Sequence, residues 1–426
     1  MNILIFPSGS MVAKEIYDSL KDHRTINIFG TDFDMNNYSS FYFENYISGC
    51  PMINKKEETI EFLNKIVRKY NIKYIYPAFD SIIYFLKENE KQIGAKCVAP
   101  SLDVINICNS KLLTYEKLSG IIPLPKIYIK KEITENDLPL YSKPIVGYGS
   151  RNHIIIKEMD NLSDIDISSN LILEYLTGKE YTIDCFSDQK GKVLCSFPRE
   201  RITTSNGMSI RSKTYNLENI NNMANKIQKV IKMRGAWFFQ VKYNKNNHLK
   251  LLEIACRIPG SMCVNRMKGV NFPLLTILDL ENENVTPLLY NNIPIDCFKI
   301  YKNYYKHNLD YDTVYCDLDD TLIIKNKVNL QLIKFLYKCI NNKKKLVLLT
   351  RNKNPVKILH EFKINIFDNI SILSKEKDTN NNYIELKSNY IKDIKSIFID
   401  DSFFERNDVK QKCNINCFGI DNIELL

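Results

Sequence analysis

The sequence predicts a multidomain protein that combines α/β and α+β architecture, and three observations carry that expectation. Residues 1–100 alternate short apolar runs with helical patterns, residues 101–290 string strands together across short polar turns, and residues 311–426 return to alternation. Alternation implies a parallel sheet flanked by helices, whereas consecutive strands with short turns imply an antiparallel one. At 426 residues, 44% of them hydrophobic, the chain exceeds one ordinary core and divides into two or three.

The first segment reads "NILIFP", "SMVAKEIYDSLKDH", "TINIFGTD", "TIEFLNKIVRKYN" and "IKYIYPAF", which is strand, helix, strand, helix, strand. Its first turn, "PSGS", has one glycine where a dinucleotide fingerprint needs three, so NAD is not expected there. From 101 onward, "SLDVINICNSKLLTYEKLSG" reads as helix and "YSKPIVGYGSRNHIII" as strand, glycine-containing turn and strand. Strands follow at "LILEYL", "EYTIDCFSD", "KVLCSFPRE", "GAWFFQVKYNK" and "HLKLLEIACRI". The polar stretch 281–310, with Pro287 and Pro294, is the linker candidate, and the linker between domains is drawn at 291–310. Beyond it come "TVYCDL", a helix near "LQLIKFLYKCINN", "KLVLLT", a helix near "PVKILHEF", "ISILS", a helix near "SNYIKDI", "SIFIDD" and "INCFGI". Trp237, Phe238 and Phe239 read as core packing, and His153 and His248 show no partner pattern.

Composition excludes several classes. The twelve cysteines are scattered without a CxxC pair, which argues against a zinc ribbon or a disulfide scaffold and points to a reducing cytoplasm. No apolar run reaches the roughly 18 to 20 residues of a membrane span, and "MNILIFPSGSMV" lacks the basic start of a signal peptide. The net charge of +10 comes from dispersed lysines rather than a basic stripe interleaved with aromatics, so no nucleic acid partner is expected, whereas anionic small substrates are. Homo-oligomerisation is left open.

The stretch "TVYCDLDDTLII" places Asp317, Asp319 and Asp320 directly after a buried-type strand. Carboxylates at a strand's carboxyl end sit where open α/β sheets bind ligands. Asp317 can attack phosphorus as a covalent nucleophile while Asp319 protonates the leaving oxygen and later activates water. Two anions facing a phosphate need a cation, and Asp400 and Asp401, ending "SIFIDD", complete a Mg²⁺ site with Asp317 and Asp319. Thr350, ending "KLVLLT", can hold a phosphoryl oxygen, and a lysine further on can neutralise the aspartyl phosphate. In order and spacing these four elements resemble the haloacid dehalogenase-like phosphohydrolases, over 313–420. The resemblance implies that Lys387 is the motif lysine, with Lys375 as runner-up. Only short segments separate the motifs, so a Rossmann-like domain without a cap is expected at 311–426.

In 101–290 the informative residues form a series. Lys111 and Lys143 can meet nucleotide phosphates beneath the loop "GYGSRN", which includes Gly147, Gly149 and Ser150. Glu174, Tyr175 and Leu176 form a short segment whose backbone can pair with adenine, and Glu180 can accept from ribose hydroxyls. Gln240 and Glu253 lie on adjacent predicted strands and face one side if register permits; Glu253 can bind Mg²⁺ and Arg257 can stabilise a developing acyl phosphate. This succession resembles the ATP-grasp superfamily, near the carbamoyl-phosphate synthase large subunit, over about 1–290 with 1–100 as the preceding Rossmann-like domain. The resemblance implies Lys111 and Lys143 at phosphate or adenine, Gln240 and Glu253 at magnesium, and Arg257 at the reacting phosphoryl group. One departure is "EIACR", where Ala255 stands in place of a metal-binding Asn.

The expected protein is therefore a bifunctional cytoplasmic enzyme. It uses ATP and Mg²⁺, for which Mn²⁺ can substitute, to join a small-molecule carboxylate to an amine, either of which can be phosphorylated, and it hydrolyses a phosphate monoester through Asp317. Arg201, Arg211 and Arg266 are candidates for gripping an anionic acceptor. Rival readings are a small-molecule kinase of the same fold and a nucleotide-binding regulatory protein.

Overall fold

Five short apolar runs build a parallel sheet at the front of the chain: β1 (Asn2–Phe6), β2 (Asn27–Thr31), β3 (Asn45–Ile47), β4 (Ile72–Pro77) and β5 (Lys96–Cys97). The computed structural model describes residues 1–147, 152–300, 302–379 and 383–426. Strand order is β3-β2-β1-β4-β5, all parallel, with the topological switch between β1 and β4. The single glycine of "PSGS" is used internally, since Gly9 N–H donates to Asp32 at 2.6 Å.

Residues 1–302 form one unit and 303–426 a second. The front unit thus takes in both segments expected as separate domains. It adds an antiparallel sheet of β6 (Leu140–Pro144), β7 (Ile154–Ile156) and β8 (Asn170–Glu174) in the order β7-β6-β8. A six-stranded antiparallel sheet follows, built from β9 (Glu180–Ser187), β10 (Val193–Ser205), β11 (Met208–Thr214), β12 (Gly235–Tyr243), β13 (Leu249–Ala255) and β14 (Asp296–Phe298). Its order is β13-β12-β9-β10-β11-β14.

Alternation along these strands separates two faces. Tyr181, Ile183, Cys185, Trp237, Phe239, Val241, Leu251 and Ile254 share a core with the helix Ile220–Ile231, which buries Ile220, Ala224, Ile227 and Ile231 at helical spacing. The intervening residues face the other way and mix polar groups (Glu180, Thr182, Asp184, Gln240) with apolar ones (Phe186, Ala236, Phe238). Trp237 is fully buried, its indole N–H donating to Ser187 at 2.9 Å, while the neighbouring Phe238 lies on the opposite face beneath Arg257.

Three features differ from the sequence reading. Residues 296–298, inside the expected linker, are β14 and pair with β11, because a three-residue edge strand leaves no alternation to read. The strand β11 and the helix Ile220–Ile231 have no counterpart in the expected elements. The helical stretch after residue 101 is two helices, Leu102–Asn109 and Lys111–Leu118, broken where Ser110 caps the second.

The rear unit holds a second parallel sheet: β15 (Thr313–Cys316), then the hairpin β16 (Ile323–Ile324) and β17 (Lys327–Val328), then β18 (Lys345–Thr350), β19 (Asn369–Ile372), β20 (Ser396–Ile399) and β21 (Asn416–Phe418). Its order is β19-β18-β15-β20-β21, with helices Leu330–Asn341, Pro355–Glu361 and Phe403–Cys413 in the connections. Apart from the hairpin, no further sheet interrupts these connections among the described residues. No described helix is long and apolar enough to cross a membrane, and all twelve cysteines are free thiols.

Candidate active sites

In the front unit the polar face of the six-stranded sheet gathers the predicted groups. Register pairs Gln240 of β12 directly with Glu253 of β13, so the two share a face as the sequence required. The same row continues through Thr182 on β9 to Arg199 on β10. Gln240 and Glu253 offer amide and carboxylate oxygens of the kind Mg²⁺ takes, whereas Ala255 offers none.

The two lysines are positioned by buried hydrogen bonds. Lys143, on β6, donates to Tyr115 Oη at 2.9 Å and Leu252 O at 2.8 Å; burial pulls it down to about 8, against the pull of Glu253 and Glu180. Lys111 opens the helix that Ser110 caps and donates to Gly147 O at 2.7 Å; burial lowers its pKa too, opposed by Glu253. Gly147 therefore lies against Lys111, whereas Gly149 and Ser150 fall outside the described residues. Both ammonium groups feel the field of Glu253, which ties the β6 end to the β13 row.

Glu174, at the end of β8, accepts from Asn244 Nδ2 at 2.8 Å, and its own N–H is spent on Lys126 O at 2.9 Å. An N–H contact to an adenine therefore falls to Tyr175 or Leu176. Glu180 is already paired with Arg201 at 2.7 Å. Arg257 forms a two-pronged pair with Asp80, 2.7 and 2.8 Å, and packs over Phe238; burial alone would lower its pKa, but Asp80 raises it overall. Asp80 opens a helix at the carboxyl end of β4, so the parallel sheet holds the arginine that the sequence placed at the reacting phosphoryl group.

The three arginines weighed for an acceptor are engaged elsewhere: Arg201 with Glu180 and Gly207 O, Arg211 with Asp296, Arg266 with Glu15. Sequence reasoning missed a buried set on the same face, in which Asp184 accepts from Arg199 Nε at 2.9 Å and Asn265 Nδ2 at 2.6 Å. Alternation along β9 was the available signal, since Asp184 follows Glu180 and Thr182 at period two.

In the rear unit β15 and β20 are adjacent and parallel, which brings their carboxyl ends together. Lys387 Nζ sits between Asp317 at 2.7 Å and Asp400 at 2.6 Å, all three buried. Burial pushes Asp317 up to about 7, with Lys387 opposing and Asp400 reinforcing. Burial would lower Lys387, but the two carboxylates more than compensate and hold it charged. One oxygen each from Asp317, Asp400 and Asp401 lies within 4.8 Å of the others. That is a hard-oxygen donor set suited to Mg²⁺, and a bound cation would return Asp317 to its ionised form.

Asp401 accepts from Thr321 Oγ1 at 3.1 Å, and Ser402 N–H donates to Asp400 at 2.8 Å. Thr350 is fully buried at the end of β18 and accepts from Asn352 N–H at 3.0 Å. Lys375 is exposed, so Lys387 is the lysine at the acids. The carboxylate of Asp319 stands outside the three-acid group, held by Asn352 instead. The expectation placed Asp319 among the metal ligands, whereas the carboxylates that lie together are those of Asp317, Asp400 and Asp401; Asp320, next in the chain, is left-handed (φ 56°).

Comparison with known proteins bears on the front unit. Residues 166–296 match the family described as ATP-grasp in the biosynthetic pathway with Ter operon. A glutamate–LysW ligase of Sulfurisphaera tokodaii is 26% identical over 155 residues, covering 32% of this chain and 54% of that protein, so the chain spans about half the length of this curated relative. Among solved structures, the biotin carboxylase domain of Hydrogenobacter thermophilus 2-oxoglutarate carboxylase, in complex with MgADP, ADP and bicarbonate, superposes with a TM-score of 0.57 at 15% identity, over 67% of this chain and 70% of that one. An L-amino acid ligase from Bacillus licheniformis does so with 0.54 at 13% identity, over 68% and 77%. The segment 166–296 is thus matched to an ATP-grasp family, and the front unit carries the ATP-grasp fold.

Proposed function

We propose that the front unit is an ATP-dependent carboxylate–amine ligase and the rear unit a Mg²⁺-dependent phosphate monoester hydrolase. The observation that carries the first part is the ATP-grasp match on a sheet whose polar face aligns Gln240 with Glu253 and turns Lys143 and Lys111 toward the same field. An oxygen of the acid attacks the γ-phosphorus of ATP, the bond to ADP breaks, and the acyl phosphate is stabilised by Arg257. The amine nitrogen then attacks the acyl carbon, phosphate leaves, and the nitrogen gives up a proton. Glu253 and Gln240 would hold magnesium, which would neutralise phosphate charge. The similarity to a glutamate–LysW ligase and an L-amino acid ligase makes amino acids the first acids and amines to try.

For the rear unit the carrying observation is the ammonium of Lys387 between Asp317 and Asp400 beside Asp401. Asp317 attacks phosphorus, the ester P–O bond breaks, and Asp319 gives the leaving oxygen its proton. Asp319 next takes a proton from water, the hydroxide attacks phosphorus, and the Asp317–phosphorus bond breaks to release phosphate. Thr350 donates to a phosphoryl oxygen, since its own lone pair already takes Asn352 N–H. The resemblance of these motifs to haloacid dehalogenase-like phosphohydrolases supports the same reading.

The test is incubation with ATP and pooled amino acids. ADP release that requires both an acid and an amine supports the ligase; ADP release on an acid or alcohol alone, with a stable phosphorylated product, overturns it in favour of a kinase. In parallel, Asp317→Asn should abolish phosphate release from phosphate monoesters supplied to the whole chain; a variant as active as wild type sinks the hydrolase reading.

A further inference from the structure

Asp319 poses a problem for the rear unit, because an acid and base must aim at the leaving oxygen and then at water. Its carboxylate is exposed, sits on a turn next to a left-handed residue, and lies outside the three-acid group. A solvent-facing carboxylate with nothing to hold it samples several rotamers, and each wrong one is a turnover lost.

The side chain of Asn352 meets this need. Its Nδ2 donates to both oxygens of Asp319, at 2.9 and 3.1 Å. The direction of that amide is fixed by a second bond, since Asn352 Oδ1 accepts from Asn354 N–H at 2.9 Å and a backbone N–H can only donate. A third bond, from Asn352 N–H to Thr350 Oγ1 at 3.0 Å, links the same residue to the phosphoryl-holding hydroxyl. One asparagine therefore couples Thr350 to Asp319. We infer that Asn352 is the positioning residue for the acid and base of the rear unit, aiming Asp319 at the leaving group while Thr350 holds the phosphoryl group.

This inference rests on the hydrolase reading, and the experiment separates the two. The whole chain is assayed with Mg²⁺ on 4-nitrophenyl phosphate, whose phenol departs without a proton, and on glycerol phosphate, whose alkanol cannot. The quantity kcat/KM reports transfer to Asp317 and excludes later hydrolysis of the intermediate. Asn352→Asp keeps an oxygen that can accept from Asn354 N–H and replaces the donation to Asp319 with a like charge, whereas Asn352→Ala removes the donation without adding charge. Asn352→Ala is the second variant, should the first not fold.

Acid catalysis is worth about 10² to 10⁴-fold, and misaiming the acid forfeits part of it. Asn352→Asp should lower kcat/KM for glycerol phosphate at least about tenfold more than for 4-nitrophenyl phosphate. Hydroxylamine-labile phosphoenzyme should accumulate with the phenyl ester, because the base step slows as well. An equal fall for both esters, or no fall, overturns the positioning role and leaves the hydrolase standing. If wild type releases phosphate from neither ester, the hydrolase reading falls and takes this inference with it.

Discussion

At the scale of one residue, the proposed ligase reading gives Lys143 a pH dependence that can be measured. Burial brings its pKa from 10.5 to about 8, below its unfolded value. Between those limits the unfolded chain binds the extra proton, so this group's contribution to stability rises with pH across that window, and below about 8 its burial cost is present in full. Phosphate binding needs the charged form. The KM for ATP should therefore rise as pH passes 8, by up to about tenfold per unit, and Lys143→Met should start high and stay flat. A second residue-scale prediction concerns Asp80, whose two bonds hold Arg257. Asp80→Asn should cut kcat of the ligation on the order of 10²-fold while leaving the KM for ATP nearly unchanged, because misplacement acts on the transition state rather than on nucleotide binding. Equal changes in both constants would remove the positioning role. Sequence spacing named Lys143, Glu253 and Lys387, whose motifs are local. It did not name Asp80 or Asn352, because their partners lie 177 and 33 residues away.

Elements carry the next level of constraint. The buried guanidinium of Arg351 pairs with Glu405 at 2.8 Å and donates to Glu385 O at 2.7 Å, so it ties the end of β18 to the helix Phe403–Cys413 and to the segment leading into Lys387. Arg351→Met removes one partner of a buried pair and should cost about 3 kcal/mol, read from urea unfolding of the rear unit. In the front unit Ile227→Ala leaves a cavity between the helix Ile220–Ile231 and the sheet, costing about 2 to 5 kcal/mol by the same measurement. Long strands such as β9 and β12 were legible because they are rich in aromatic and β-branched residues and one face is continuously apolar. The strand β11, "MSIRSKT", was not: it lies between β10 and the three-residue β14, and its side chains lack that alternation.

At the scale of the whole molecule, the proposed function places two chemistries on two units, each with its own acids and lysines. Reciprocal inactivation should follow. Asp317→Asn should abolish phosphate release from esters while leaving acid- and amine-dependent ADP release intact, and Glu253→Ala should do the reverse, both checked on the full chain. Loss of both activities in either variant would contradict independent sites.

The sequence by itself separated the parallel from the antiparallel segments, though not the division into two units. Periodicity of two against alternation with helices separates an antiparallel sheet from a parallel one, and acids at strand ends mark where ligands bind. It also showed which residue types stand at the candidate positions, down to Ala255, which offers no oxygen ligand. Only the tertiary structure decided which groups meet. Glu253 faces Gln240 through register, Arg257 is held by Asp80 at the end of a strand of the first sheet, and Asp319 meets Asn352 rather than the three grouped acids. Hydrogen bonds and ion pairs depend on distances of about 3 Å between side chains. Such distances are set by folding segments far apart in the chain against one another, and no local pattern encodes them.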